Sequence, residues 1–281
     1  MKYLSLERGS FGFDAAETLV SQNGDDHARF EACEDNLDIL HKAERGNGDV
    51  LGVVPIENSI DGYVSEVIKG YWLKTKMDFL TVVGEIEIPI RQCLLTLPGV
   101  TKTQGLKVMS HTKSLGQCAE RLTKLGISVR VAVQSNTKAV REIIKKNDPN
   151  WGAIASITAS NIFGETLEVL PDIHDDMDNR TRFHIVSKKP SQMTGRDKTA
   201  LACRLPNRVG ALRDILNLIA DLGSNLYSIE SVSLGRSGTY ATYLEFDSHQ
   251  DDEVGRKIIA NVMSVTQGQV HILGSFPKTV G

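Results

Sequence analysis

Neither an apolar leader nor a long apolar run is present in this chain of 281 residues. Met1-Lys2-Tyr3-Leu4-Ser5-Leu6-Glu7-Arg8 is charged where a secretory leader would be apolar, and no run approaches the ~20 residues that span a bilayer. A cytoplasmic protein with no membrane partner is expected. Concentrated positive charge is also missing. Lys and Arg total 32 against 35 Asp and Glu, and no segment gathers them into a stripe, which excludes a nucleic-acid partner and leaves a small molecule. The four cysteines, Cys33, Cys93, Cys118 and Cys203, are isolated. Without C-x-x-C spacing they form neither a zinc site nor a redox pair, so reduced thiols and no metal are expected. No G-x-x-x-x-G-K-[ST] or G-x-G-x-x-G loop occurs, and no nucleotide cofactor is expected.

What is present is a repeated unit of strand, small polar residue and helix. Lys2 to Leu6 reads as a strand, followed by Gly9-Ser10-Phe11-Gly12 and a helix through Ala15, Ala16, Leu19 and Val20. A helix through Leu37, Leu40 and Ala43 stops at Gly46-Asn47-Gly48, and Val50 to Pro55 is a buried strand. Glu57-Asn58-Ser59 then precedes Ile60, Val64, Val67, Ile68 and Tyr71 at helical spacing, which puts Asn58 and Ser59 at a helix N-terminus. Val82 to Leu97 reads as one strand continuing past Pro89. Lys107-Val108-Met109 runs into Ser110-His111 and a helix bearing Ser114 and Gln117; Val129 to Val133 runs into Ser135 and a helix through Ala139 and Ile143. Such alternation predicts an α/β sheet with ligands at the carboxyl ends of its strands, and helix heads there favour an anion. Any one of these turns alone is an ordinary N-cap.

The densest mixture of chemistries lies at Asp175-Asp176-Met177-Asp178-Asn179-Arg180-Thr181-Arg182-Phe183, ahead of the strand His184-Ile185-Val186. A hydroxyl, a guanidinium and a ring arrive together at a strand mouth. Ala153 to Ser156 precedes it as a further strand, with a helix through Ala159 and Ile162 ending at Gly164. Residues 188–198 have linker composition. From Thr199 the pattern is strand, helix, strand, strand, helix, strand, with a hairpin around Arg236-Ser237-Gly238, a ferredoxin-like unit.

These residues, in this order, resemble the prephenate dehydratase family joined to a C-terminal ACT regulatory domain. The resemblance rests on Gly9-Ser10-Phe11, on Val53 to Gly62 with its Pro-Ile-Glu-Asn-Ser run, on Ser110-His111 with Gln117-Cys118, on Ser135, and on Asn179-x-Thr181-Arg182-Phe183. It implies a catalytic domain over 1–187 shaped like a type II periplasmic binding protein, two lobes with the substrate between them, a linker over 188–198, and an ACT domain of βαββαβ order over 199–281. It also implies decarboxylating dehydration of prephenate to phenylpyruvate in phenylalanine biosynthesis, without a cofactor. Thr181 would donate to the departing ring hydroxyl, with Glu57, Asn58, Ser110 and Gln117 as its catalytic company. Ser10 and Arg182 would hold the substrate carboxylates, Phe183 would pack beside the ring, and Phe11, Ser59, His111 and Ser135 would complete the lining.

In the ACT domain, Gly210-Ala211-Leu212 and Glu230-Ser231 match the places where the family binds L-phenylalanine at a dimer interface, which implies a homodimer or homotetramer. Three departures stand out. Val232-Ser233 replaces the Arg-Pro that usually follows Glu-Ser, Leu6-Glu7-Arg8-Gly9 replaces Gly-Pro-Glu-Gly, and Gln92 stands where histidine is common. The rival readings are an arogenate dehydratase, a prephenate decarboxylase that retains the hydroxyl, and a non-catalytic amino-acid sensor of the same fold.

Overall fold

The computed structural model describes residues 1–73, 80–162, 167–235 and 239–279. The helix end expected at Gly164 and the hairpin turn expected at Arg236–Gly238 lie outside these residues. The first lobe comprises β1 (Lys2–Ser5), α1 (Phe11–Asn23), β2 (Arg29–Ala32), α2 (Asn36–Arg45), β3 (Val50–Asn58), β4 (Gly62–Tyr63), α3 (Ser65–Leu73) and β5 (Thr81–Pro89). The chain then crosses to a second lobe of β6 (Cys93–Thr96), β7 (Lys107–Ser110), α4 (Thr112–Gln117), α5 (Ala119–Lys124), β8 (Val129–Ala132), α6 (Asn136–Lys146), β9 (Trp151–Ala155), a 3-10 turn at Ile157–Asn161 and β10 (Glu168–Leu170). It returns through residues 171–179 to insert β11 (Arg180–Ser187) into the first sheet.

The first sheet has the order β2-β1-β3-β11-β5 and the second β10-β6-β9-β7-β8. An inserted return strand beside the strand that left the lobe is the type II binding-protein arrangement, so the two lobes expected are present. The uninterrupted strand expected from Val82 to Leu97 is not. It breaks at Ile90–Gln92, where the chain changes lobes and β5 and β6 join different sheets. The two crossings are tied together. Arg91 Nη1 donates to the Met177 carbonyl at 2.8 Å and lies 3.0 Å from His174 Nε2, while Ile90 N–H donates to Asn179 O at 2.8 Å.

The helix expected from Ile60 starts later, at Ser65. β3 carries on through Asn58, and Gly62 at φ +73° turns the chain into β4. Ser59 therefore caps no helix; its backbone and hydroxyl bond Arg180 instead. β2 was not expected: its side chains are mostly exposed and show no alternation for a pattern to reveal.

The remaining elements are β12 (Asp197–Cys203), α7 (Ala211–Asp221), β13 (Leu226–Ser233), β14 (Tyr240–Asp247), α8 (Glu253–Val265) and β15 (Val270–Pro277), in one sheet ordered β13-β14-β12-β15. Regular structure begins two residues inside the expected linker, and Asp197 and Lys198 are buried. One face of this sheet packs under α7 and α8 through Leu201, Ile215, Leu244, Phe246 and Ile258. The other face shares a core with the first lobe, where Ala200, Ala202, Tyr243, Leu273 and Phe276 join Ile56, Val67, Ile68 and Tyr71. The C-terminal domain thus sits on one side of the first sheet, and α1 covers the other through Ala15, Ala16 and Leu19.

Candidate active site

β3 and β11 run antiparallel with Asn58 opposite Thr181. Asn58 Oδ1 accepts backbone N–H bonds from Ile60 at 3.0 Å and Asp61 at 2.9 Å, which fixes the amide orientation. Its Nδ2 then faces three oxygens: Asn179 Oδ1 at 2.7 Å, Arg180 O at 2.9 Å and Thr181 Oγ1 at 2.9 Å. An amide nitrogen can only donate, so Thr181 Oγ1 is an acceptor here. Among the described residues its own proton has no acceptor. The threonine is 8% exposed and held in place with a donor to spare.

A continuous series of hydrogen bonds runs from this pair into the second lobe. Asp61 Oδ2 accepts from Gln117 Nε2 at 3.0 Å, and Gln117 Oε1 accepts from Gln92 Nε2 at 3.2 Å. Gln92 Nε2 also donates to Ser114 Oγ at 3.1 Å, and Ser114 donates to Asn136 Oδ1 at 3.1 Å. Ser110 Oγ reaches the same Asn136 oxygen at 2.9 Å and the Ile154 carbonyl at 2.6 Å. The structure thus joins Asn58, Thr181, Gln117 and Ser110 in one polar series.

His111 caps α4 by accepting the Lys113 N–H, and burial together with the Lys113 charge holds its imidazole below the usual range and neutral. Ser135 caps α6 in the same way through Lys138 N–H. Ser10 caps α1 through Phe13 N–H, and its turn docks on the second lobe, where Ser156 Oγ donates to Gly9 O at 3.3 Å. Gly9 has φ +86°, and a Cβ there would lie 1.9 Å from Ile162 Cδ1, so glycine is required where the lobes meet. The departure at Glu7 also acquires a partner: its carboxylate pairs with Arg141 of α6 across the cleft mouth. Phe11 is partly buried against the first-lobe core.

Three expected site residues are placed elsewhere. Strand alternation sends Arg182 and Glu57, the pair next to Thr181 and Asn58, to the opposite face of the sheet. Arg182 Nη2 donates to Glu57 Oε2 at 3.0 Å, and its Nη1 donates to Glu245 of β14 at 2.7 and 2.9 Å and to Glu85 at 3.1 Å. Against the expectation that Arg182 holds a substrate carboxylate, it is spent on three protein carboxylates under the C-terminal domain. Glu57 accompanies it. Phe183, 2% exposed, packs with Tyr3, Ala15, Ile86 and Ile185 in the first-lobe core and offers no face to a ligand ring.

Around Glu245 the ionic group is complete. Lys198 Nζ lies 2.6 Å from Glu85 and 3.3 Å from Glu245, and His184 Nε2 lies 3.3 Å from Glu245 while its Nδ1 faces the Tyr71 hydroxyl at 3.0 Å. Burial alone raises the Glu245 carboxyl; the His184 hydrogen bond and the Arg182 and Lys198 charges outweigh it and hold the group well below the usual range. Burial keeps His184 neutral.

Sequence reasoning missed Asn179, Gln92 and Asn136 as working parts of the site. Asn179 was visible in the motif, and two orphaned atoms now draw attention to it and to Gln92: Asn179 Nδ2 and Gln92 Oε1 are buried without a partner among the described residues. In the C-terminal domain, Gly210 at φ +81° heads α7, while Glu230 and Ser231 lie on the edge strand β13. Among the described residues no group of three or more His, Cys, Asp or Glu is arranged to hold a metal ion, and no helix is long and apolar enough to cross a membrane.

The prephenate dehydratase family model matches residues 7–191, which include every element of the two lobes except β1. An arogenate dehydratase/prephenate dehydratase of Arabidopsis thaliana is 32% identical over 96% of this chain and 71% of its own length. A bifunctional chorismate mutase/prephenate dehydratase of Pseudomonas aeruginosa is 33% identical over 82% of this chain and 61% of its own. The crystal structure of a prephenate dehydratase from Arthrobacter aurescens in complex with L-Phe superposes with a TM-score of 0.84 at 26% identity, covering 99% of this chain and 90% of that one. A family model over most of the chain, with relatives at this identity and coverage, leaves one assignment: this chain belongs to the prephenate dehydratase family.

Proposed function

We propose that the chain converts prephenate to phenylpyruvate, and that the single observation carrying this is the Thr181 hydroxyl, fixed by Asn58 with its proton unspent. Prephenate loses its ring carboxylate as carbon dioxide and its ring hydroxyl as water, taking up one proton, and the ring becomes aromatic. The driving force lies in the substrate. The protein must orient it and stabilise the oxygen as it leaves. Thr181 donates to that oxygen; one preorganised donor of this kind contributes about 10²–10³ in rate. Asn58 holds the threonine oxygen, and Asn179 holds Asn58.

With Arg182 turned away, the substrate carboxylates fall to backbone N–H groups at the heads of α1 and α6, beside Ser10 and Ser135, where the helix dipoles favour negative charge. Gln117 and Ser110 border the same space from the second lobe. Gln117 bonds Asp61 across the cleft, and we assign its amide to the substrate once that contact opens. Arogenate, which the Arabidopsis relative's name includes, differs by an amine in the side chain and is the second reading.

The C-terminal domain is read as an ACT domain that binds L-phenylalanine, as the Arthrobacter protein does, near Gly210, Ala211, Leu212, Glu230 and Ser231, in a homodimer or homotetramer. Purified protein is incubated separately with prephenate and arogenate. Phenylpyruvate from prephenate supports the assignment; phenylalanine from arogenate alone moves it to the second reading. A decarboxylated, non-aromatic product or no product with either compound overturns it.

A further inference from the structure

The geometry points to Glu245 of the C-terminal domain as a positioning residue for the cleft: through Arg182 it holds Thr181, and through Arg182 and Glu57 it holds Asn58. The inference rests on the reading that Thr181 is the donor.

Thr181 and Asn58 form one cross-strand pair and Arg182 and Glu57 the next, so one guanidinium binds both strands a single residue from the catalytic pair. A register shift between Arg182 and Phe183 marks a local bulge, the kind of irregularity that re-aims a side chain. The far side of the guanidinium is fixed by both oxygens of Glu245, at 2.7 and 2.9 Å, and Glu245 is fully buried. Arginine presents its donors as a planar fork, so its orientation is set by its carboxylates. Ion pairs at this depth add little adhesion compared with apolar packing, and apolar packing already surrounds these at Tyr71, Tyr243 and Phe276. What the ions add is a defined position. A shift of β14 against β11 moves Arg182, and with it Thr181, on the other face of the same strand. Turnover, rather than substrate affinity, is therefore the quantity the C-terminal domain sets.

The test compares full-length Glu245→Gln, Leu273→Ala and Thr181→Ala with the parent protein, measuring kcat and KM for prephenate and the thermal midpoint. Leu273→Ala thins the same interface at a purely apolar position. Displacement of a catalytic group by about 1 Å costs up to about 10²-fold, so Glu245→Gln is expected to lower kcat tenfold or more with KM within twofold, while Leu273→Ala lowers the midpoint and keeps kcat. Glu245→Asp, which retains the charge on a shorter arm, shows the same split and serves if the glutamine variant does not fold. Parental kcat in either Glu245 variant, with Thr181→Ala inactive, overturns the inference and leaves the functional reading standing. Loss of kcat in Leu273→Ala equal to that in Glu245→Gln also overturns it, since stability alone would then explain both. Parental turnover in Thr181→Ala would instead remove the functional reading.

Discussion

Arg182→Met distinguishes a guanidinium that joins two domains from one that grips a substrate. The substitution keeps an unbranched apolar stem and removes the charge. It leaves Glu245 without its two shortest ionic contacts, facing Lys198 Nζ at 3.3 Å, a neutral His184 and the Tyr243 hydroxyl that donates to it. Removing one partner of a buried pair costs about 3–5 kcal/mol, against about 0–1 kcal/mol for an exposed pair. In a chain of this size each kcal/mol moves the thermal midpoint by roughly 2–4 °C, so a fall on the order of 10 °C is expected. Adding Glu245→Gln should recover most of it, because Lys198 and Glu85 remain paired with each other at 2.6 Å. Thermal unfolding followed by circular dichroism at neutral pH reads both numbers. A single variant within 2 °C of the parent, or a double variant no better than the single, refutes the reasoning. A raised KM with an unmoved midpoint would return Arg182 to the substrate.

Asn58→Ala should lower kcat by about 10²-fold, since the Thr181 oxygen loses the bond that holds it; a raised KM with kcat unchanged would mean that Asn58 only binds. Gly9→Ala places a methyl on Ile162 and an L side chain at φ +86°, a strain of about 1–2 kcal/mol against lobe closure, so KM for prephenate should rise roughly tenfold. Stability should fall as pH drops from neutral. His184 is held below its usual 6.5, so the unfolded chain binds its proton first; Glu245 and Glu85, both held below 4.5, add a second loss at lower pH. A midpoint constant from pH 7 to pH 4 contradicts this. All four cysteines are buried, and burial pushes Cys33 up to about 11 and Cys203 up to about 12. A disulfide reagent should therefore label the native protein far more slowly than the unfolded one.

The architecture was legible because its signals are local: apolar spacing for α1, α2 and α6, apolar runs bounded by helices for the C-terminal strands, and glycines where helices stop. Asn58 and Thr181 were legible as motif residues. Their partnership was not, because it depends on the antiparallel register of strands more than a hundred residues apart. Arg182 misled for the same reason. Strand alternation alone places it opposite Thr181, and only the later arrival of Glu245 and Lys198 on a neighbouring domain explains why a buried arginine is tolerated there. The break at Ile90–Gln92 is another such case: an apolar run does not record that its two halves join different sheets.

Thr181→Val keeps the shape of the side chain and removes the one proton on which the account depends. Turnover of prephenate by this variant, measured beside equilibrium binding of prephenate, should fall by about 10²-fold or more with affinity within twofold. Turnover equal to that of the parent would contradict the assignment of that hydroxyl to the leaving oxygen.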